Sequence, residues 1–247
     1  MNRLDVLLWV VVPYVCISVF VVGHVWRYKR DQLGWTTRST QLLERRRLRP
    51  GVLLFHFGLL AVIGGHVLGV IVPAAATEAV GVDEHLYHNV SVVAGTSAGT
   101  MMMVGFLLLM LRRAQVPRVR QATTRTDVLT FSVLAVVIVT GMWATVIVNL
   151  IGGGYDYRET VAPWFRGLFL LSPAGEGIMA APLVYQVHAL ATMLLYAVWP
   201  FSRLVHAWSA PVGYLRRAPI VYRRRSSAVS RRRPRPTSTP DFPPTGR

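Results

Sequence analysis

The 247-residue sequence is poor in cysteine and in acidic residues. Cys16 is its single thiol, and 11 aspartates and glutamates stand against 27 lysines and arginines. One thiol cannot form an intramolecular disulfide or supply the thiolates of a cysteine-bound iron–sulfur cluster. Only 15% of the residues are charged, whereas 53% are hydrophobic and the mean hydropathy is +0.42. This composition excludes an ordinary soluble domain and is typical of a protein that crosses a membrane several times.

Five apolar segments are long enough to cross a bilayer, which takes about 20 residues. They are predicted at residues 4–26, 52–72, 90–111, 127–150 and 181–205. The first is too long for the apolar core of a signal peptide, so we expect it to be retained. The predicted fold is an all-α membrane protein, a bundle of five transmembrane helices that forms one domain over residues 1–221. Residues 222–247 are basic and poor in apolar side chains, which predicts a disordered tail.

The positive charges are distributed unevenly between the connections. Eight lysines and arginines lie within residues 27–50, five within 112–126 and eleven from Arg203 onward, whereas the other side has only Arg3, Arg158 and Arg166. Cytoplasmic connections of membrane proteins carry such an excess. We therefore predict an external N-terminus, a cytoplasmic C-terminus and a multi-pass protein of the cell inner membrane. A basic tail can also bind nucleic-acid phosphates, but this alternation favours membrane topology, and no nucleic-acid partner is predicted.

Four histidines lie inside or at the edge of two of these segments. His56 and His66 belong to the second segment, and His188 and His206 belong to the fifth. An ionisable side chain at membrane depth is costly and commonly marks a functional site. Because the two segments run antiparallel, depth pairs His66 with His188 near the outside and His56 with His206 near the cytoplasm. Histidine is a common axial ligand of haem iron; the alternative for each histidine is a hydrogen bond to a neighbouring carbonyl.

The spacings of the two pairs disagree if both helices are straight. Ten residues separate His56 from His66, about 15 Å along a helix, whereas eighteen separate His188 from His206, about 27 Å. The longer spacing is five turns, so His188 and His206 would share one face, while His56 and His66 would point about 80° apart. A tilt between the helices or a kink at Pro200 would reconcile the heights, because proline removes a helical hydrogen bond.

Other residues near the histidines suit a bulky, flat, anionic cofactor. Arg112 and Arg203 are expected at the cytoplasmic end, where they could pair with haem propionates or serve only as topology anchors. Glycine lets a cofactor or another helix approach the backbone closely, and four glycines crowd the second segment: Gly58, Gly64, Gly65 and Gly69. Two haems held from both faces would leave no open coordination position, which favours electron transfer over substrate chemistry.

Four stretches of the sequence resemble one known family. They are VWRYKRDQLGWTTRSTQLLE after the first segment, LFHFGLLAVIGGHVLG in the second, RRAQVPRVRQATTRTDVL before the fourth and WPFSRLVHAWSAPVGYLRR at the end of the fifth. From the first segment to about Tyr214 the chain resembles the gamma subunit of membrane-bound respiratory nitrate reductase, a five-span dihaem cytochrome b. The fourth stretch, which contains His206, is the most specific of these matches.

The resemblance implies two b-type haems, an outer one ligated by His66 and His188 and an inner one ligated by His56 and His206. It further implies oxidation of quinol, either menaquinol or ubiquinol, near Gly65 and Gly69. Electrons would pass to an iron–sulfur beta subunit and then to a molybdenum-containing alpha subunit on the cytoplasmic face. The family's pattern includes a quinol-site lysine, but residues 73–89 contain none. His85 or His88, both predicted to lie on this external connection, could take its place.

Two other functions remain open at the level of sequence. One is a related cytochrome that serves another quinol-linked complex, such as a sulfite- or heterodisulfide-linked one. The other is a haem-free transporter or structural anchor in which the histidines relay protons. No nucleotide-binding loop or nucleophilic triad is visible, so the sequence does not indicate an independent soluble-type enzyme.

Overall fold

The computed structural model describes residues 2–31, 34–35 and 39–209, and it shows five long helices. They are α1 (Arg3–Arg30), α2 (Leu48–Ile71), α3 (Glu84–Gln115), α4 (Arg125–Ile151) and α5 (Leu183–Phe201), each long and apolar enough to cross a membrane. No strand occurs within the described ranges. The predicted all-α, five-span fold is therefore confirmed. The predicted tail at 222–247 lies outside the described residues, and its boundary stays a prediction.

Side-chain caps mark the starts of three long helices, and Asn2 and Asp5 form the one that opens α1. The Asp83 carboxylate accepts a hydrogen bond from the backbone N–H of Leu86, so α3 starts at Glu84. Thr124 and Asp127 exchange hydrogen bonds with each other's backbone N–H, a capping box that opens α4. The early start of α3 corrects one prediction, because His85 and His88 lie in its first turns and not on a connection. Short helices occupy parts of the connections, at Ala74–Glu78, Pro117–Gln121, Val161–Phe169 and Gly175–Ala180.

Helices α2 and α3 make the closest helix–helix contact, and glycine makes it possible. A Cβ on Gly58 would lie 2.8 Å from the Met102 Cα, and a Cβ on Gly105 would lie 2.7 Å from the Phe55 Cα. Small residues allow such backbone approach between membrane helices. Gly58 therefore packs α2 on α3, and it does not face the space in which the sequence analysis expected a cofactor.

Helix α5 packs against both α4 and α1, and two apolar clusters hold the bundle together. One apolar cluster joins α2 and α3 to α4 around Phe55, Met102 and Ile138. The other joins α1 and α5 to the Val161–Phe169 helix, whose buried Trp164 donates a 2.9 Å hydrogen bond to the Trp9 carbonyl. Helix α5 contributes to both clusters, because its Leu195 packs in the first and its Met193 in the second.

The helical path of the polypeptide is interrupted after Pro200. A single 3₁₀ turn, Trp199–Phe201, ends α5, Ser202 has extended backbone (φ −108°, ψ −179°), and a second 3₁₀ segment runs from Arg203 to Ser209. The guanidinium of buried Arg27 donates to the Pro200 carbonyl at 2.7 Å and to the Ser202 carbonyl at 2.9 Å. These bonds satisfy carbonyls that a helix end leaves without an intrahelical partner. The fifth span is therefore shorter than the predicted 181–205, and His206 lies outside α5.

Candidate functional site

The four histidines form two pairs that link α2 to the α5 region. The His66 pair (His66 and His188) has ring centroids 6.0 Å apart and planes 24° apart. The His56 pair (His56 and His206) has centroids 6.1 Å apart and planes 66° apart. A metal ion lies about 2.0–2.1 Å from each imidazole nitrogen it binds, so two rings on opposite sides of one ion have centroids about 6 Å apart. Both pairs have this separation, and they are the pairs that depth alone predicted.

The Nδ1 atom of each ring faces an oxygen acceptor. Because a carbonyl oxygen can only accept, Nδ1 carries the proton and the lone pair resides on Nε2. This tautomer suits a metal ligand, whose second nitrogen commonly donates to a carbonyl. In three of the rings the acceptor is the carbonyl of a nearby residue: Val52 for His56 at 2.8 Å, Val62 for His66 at 2.8 Å and Arg203 for His206 at 2.7 Å.

His188 is positioned by α4. Its Nδ1 lies 3.1 Å from the Val137 carbonyl oxygen and 3.1 Å from Thr140 Oγ1. Gly141 provides the room for this ring, because a Cβ there would lie 3.0 Å from His188 Cε1. Helix α4 thus contributes a hydrogen-bonding surface to the His66 pair without contributing a ligand.

His206 is positioned by the break after Pro200 and by a buried ion pair. Asp127, 2% exposed, receives two hydrogen bonds from Arg203, Nε to Oδ1 at 2.8 Å and Nη2 to Oδ2 at 2.5 Å. The Arg203 carbonyl in turn accepts the His206 Nδ1–H. Trp35 Nε1 donates to the carbonyl of the fully buried Val205 at 2.5 Å. These contacts attach the 3₁₀ segment to α4 and to the connection before α2, so the His206 ring can face His56.

The glycines of α2 differ in their surroundings. A Cβ on Gly64 or Gly65 would meet no atom within 4 Å, so open space borders α2 next to His66. Gly69 is buried, and a Cβ there would strike the hydroxyls of Tyr87 and Tyr157. Two facing imidazoles with open backbone beside them fit a flat bis-histidine cofactor such as haem. The described residues contain no cluster of three or more histidine, cysteine, aspartate or glutamate side chains that could hold a metal ion.

A polar and aromatic cluster lies beyond Gly69, at the end of the bundle that carries the His66 pair. The hydroxyls of Tyr87 and Tyr157 are 3.1 Å apart, and burial raises the pKa of Tyr157 above its ordinary value. The guanidinium of buried Arg158 lies 3.9 Å from the centre of the Tyr87 ring and donates to Glu84 Oε2 at 2.9 Å. This cluster holds the connection after α4 against the start of α3.

His85 and His88 occupy different environments at the same end. His88 is partly buried, and its Cε1 would lie 2.9 Å from a Cβ on Gly154, a residue with φ +98° that suits glycine. His85 is exposed, and its Nδ1 lies 3.3 Å from Asn89 Nδ2. Only His88 therefore packs against the connection that follows α4.

The two arginines expected near haem propionates are engaged by protein groups. Arg112 is 3% exposed, and its donors reach Glu44 and Thr40 at 2.6–3.0 Å. The backbone N–H of Arg47 and the Arg112 guanidinium together hold the pKa of Glu44 below its usual range. Arg112 thus anchors the connection before α2, and its contact to a propionate stays a prediction. Arg203 pairs with Asp127, and its contact to a propionate stays a prediction.

The sequence analysis missed the residues that support the histidines. An aspartate within the first turn of an otherwise apolar span was a visible signal for Asp127, because a buried carboxylate needs a cation. Arg27 gave a similar signal at the end of α1. Thr140 gave none, because threonine is common in membrane helices and its partner lies 48 residues away.

Comparison with known proteins identifies the family. The family model described as nitrate reductase gamma subunit matches residues 5–225. Over 212 residues the chain is 48% identical to nitrate reductase-like protein NarX of Mycobacterium tuberculosis; the match covers 85% of this chain but only 32% of that relative's length. It is 40% identical over 212 residues to the nitrate reductase gamma chain of Bacillus subtilis, covering 86% of this chain and 95% of the relative. It is 30% identical over 218 residues to the respiratory nitrate reductase 1 gamma chain of Escherichia coli, covering 88% and 96%. The chain therefore belongs to the nitrate reductase gamma subunit family.

Proposed function

We propose that this chain is a dihaem cytochrome b that oxidises quinol and delivers the electrons to the other subunits of a respiratory nitrate reductase. The observation that supports this function is the pair of facing imidazole couples, each with a centroid separation of about 6 Å. A b-type haem held by His66 and His188, and a second held by His56 and His206, would each supply a reversible one-electron centre. The protein's own part is to hold the rings, fix their tautomer and separate the two centres along the membrane normal.

The orientation of the subunit follows from its charges in this proposal. The connections that carry most lysines and arginines adjoin the His56 pair, so that pair lies on the cytoplasmic side of the cell inner membrane. The His66 pair then lies on the outer side. Oxidation of one quinol releases two protons and two electrons; if the protons leave outside while the electrons move inward, the reaction adds to the membrane potential.

The quinol site lies, in this proposal, beside the His66 pair. Open space at Gly65 gives a quinol ring access to that end of α2. His88, partly buried against Gly154 in the first turns of α3, is the proton acceptor in this proposal, because neutral imidazole can accept a proton from a quinol hydroxyl. His85 is exposed and turned to Asn89, so we assign it no contact with quinol. Gly69 lies against the hydroxyls of Tyr87 and Tyr157, which are the polar groups at the far edge of the proposed site.

The electron acceptors belong to partner chains in this proposal. With a single thiol, this chain cannot provide a cysteine-bound iron–sulfur cluster. An iron–sulfur beta subunit on the cytoplasmic face would accept the electrons near the His56 pair, and a molybdenum-containing alpha subunit would reduce nitrate.

The test uses the intact membrane complex with pigment quantified per polypeptide. We expect two b-type haems per chain that quinol reduces, and His56→Ala or His206→Ala should remove the inner one. In either variant quinol should still reduce the outer haem, while quinol-dependent nitrate reduction is lost. Full nitrate reduction by either variant would refute the proposed electron path. A purified chain without haem would instead favour the transporter or anchor.

A further inference from the structure

The His66 pair differs from the His56 pair in how a ring is supported. His56 and His66 bond through Nδ1 to carbonyls within α2 itself. His188 instead bonds across the bundle to α4, where the Val137 carbonyl and the Thr140 hydroxyl lie at equal distances of 3.1 Å from its Nδ1. The ring orientation of His188 therefore depends on a neighbouring helix. One of its two hydrogen-bond acceptors is a side chain, which a single substitution can remove.

The hydrogen bonds of Thr140 show which of its atoms faces the histidine. Its Oγ1 lies 2.7 Å from the Val136 carbonyl, closer than the 3.3 Å to the Val137 carbonyl. A hydroxyl has one proton and two lone pairs. Since the proton is directed to the Val136 carbonyl, a lone pair of Oγ1 is available to the His188 Nδ1–H. Thr140 thus acts as an acceptor toward the histidine, and it shares that proton with the Val137 carbonyl.

We propose that Thr140 is a positioning residue that sets the redox potential of the outer centre independently of the inner one; this inference rests on the proposed function. A second acceptor on Nδ1–H draws electron density toward Nε2 and makes the imidazole a stronger donor to iron. A stronger donor stabilises the oxidised metal and lowers its reduction potential. Thr140 belongs to neither histidine pair, and it acts through its contact with His188.

The direction of this effect agrees with the electron path. Electron transfer from the His66 pair inward is favourable when the outer centre has a lower reduction potential than the inner one. The membrane voltage opposes this inward transfer, so it cannot replace the difference in potential. Lowering the outer potential through Thr140 therefore helps the inward step. The inner His206 ring bonds to the carbonyl of Arg203, which a side-chain substitution cannot remove.

The test is a redox titration of the purified complex in which the absorption of each haem is followed separately. Thr140→Val keeps the shape of the side chain and removes the acceptor, so we expect the outer potential to rise and the inner one to stay unchanged. Thr140→Ser restores the hydroxyl and should restore the outer potential. Thr145→Val is the matched control on the same helix, because its hydroxyl bonds to the Gly141 carbonyl and not to a histidine.

The outcomes separate this inference from the proposed function. If the wild-type complex binds two haems and Thr140→Val leaves the outer potential unchanged, the role of Thr140 is refuted and the dihaem function stands. A shift of both potentials by Thr140→Val, or an equal outer shift in Thr145→Val, would also refute it. If the valine causes loss of the outer haem, Thr140→Ala removes the hydroxyl without bulk at Cγ, and the same upward shift is required there.

Discussion

Removal of the Asp127 carboxylate should release the inner histidine while the outer site remains intact. Asp127 lies in the first turn of α4 and holds the Arg203 guanidinium through two hydrogen bonds. Arg203 is the first residue of the 3₁₀ segment, and its carbonyl orients His206. The substitution Asp127→Ala therefore acts on a residue outside both histidine pairs, yet it should affect the position of one proposed haem ligand.

The magnitude follows from the burial of the pair. The side chains of Arg203 and Asp127 are 13% and 2% exposed, so the pair is largely withdrawn from water. Removing one partner of a buried ion pair costs about 3–5 kcal/mol, and the remaining exposure of Arg203 favours the lower figure. If about 3 kcal/mol falls on the 3₁₀ segment, the affinity of the His56 pair for the proposed haem should decrease about 100-fold.

The assay measures haem per polypeptide and the reduced spectrum of the purified complex as free haem is depleted. We expect Asp127→Ala to retain the outer haem and lose most of the inner one, and Asp127→Asn, which keeps an acceptor, to give an intermediate loss. Asp127 also caps α4, so Asp83→Ala serves as the matched control, because it removes a helix cap at the other end of the bundle. Equal retention of both haems in Asp127→Ala, or the same inner loss in Asp83→Ala, would contradict the reasoning.

Four further substitutions test separate parts of the structure. Gly141→Ala places a Cβ 3.0 Å from His188 Cε1 and should lower the content of outer haem. The control Gly95→Ala, whose Cβ would lie 3.4 Å from a Thr145 methyl, should leave that content unchanged. Equal losses of outer haem in both variants would contradict the geometry. Gly58→Ala should lower the free energy of unfolding by about 1–3 kcal/mol because α3 backbone blocks the added methyl; an unchanged thermal midpoint would count against this close contact. His88→Ala should slow quinol oxidation more than it lowers haem content, and unchanged quinol kinetics would remove His88 from the site. Because the buried Tyr157 stays neutral where a free tyrosine ionises, stability should decrease as the pH rises above the ordinary pKa of 10.0. Tyr157→Phe should weaken that alkaline decrease in the thermal midpoint, and an identical pH profile would show that Tyr157 is not responsible.

The five spans and the pairing of the histidines could be predicted from the sequence because both depend on the length and position of apolar segments. The length of an apolar segment indicates whether it can span the membrane, and the position of a histidine within that segment gives its depth in the membrane. The start of α3 was placed too late because Asp83 caps a helix whose first turns are polar. The surroundings of Gly58 and Gly69 could not be predicted, since a glycine in a membrane helix can face a cofactor, a helix or a side chain. Thr140 and Asp127 meet partners 48 and 76 residues away, and no local pattern encodes such contacts.

The break after Pro200 is the physical answer to the mismatch in histidine spacing. A straight α5 would carry His206 about 27 Å from His188, whereas His56 and His66 are separated by about 15 Å along α2. Both pairs nevertheless have ring centroids close to 6 Å apart, because the chain leaves the helix before His206. Such a break leaves backbone carbonyls without helical donors, and the buried Arg27 guanidinium supplies donors to two of them. The geometry of the His56 pair is thus determined by a proline, an arginine on α1 and an aspartate on α4, none of which belongs to the pair.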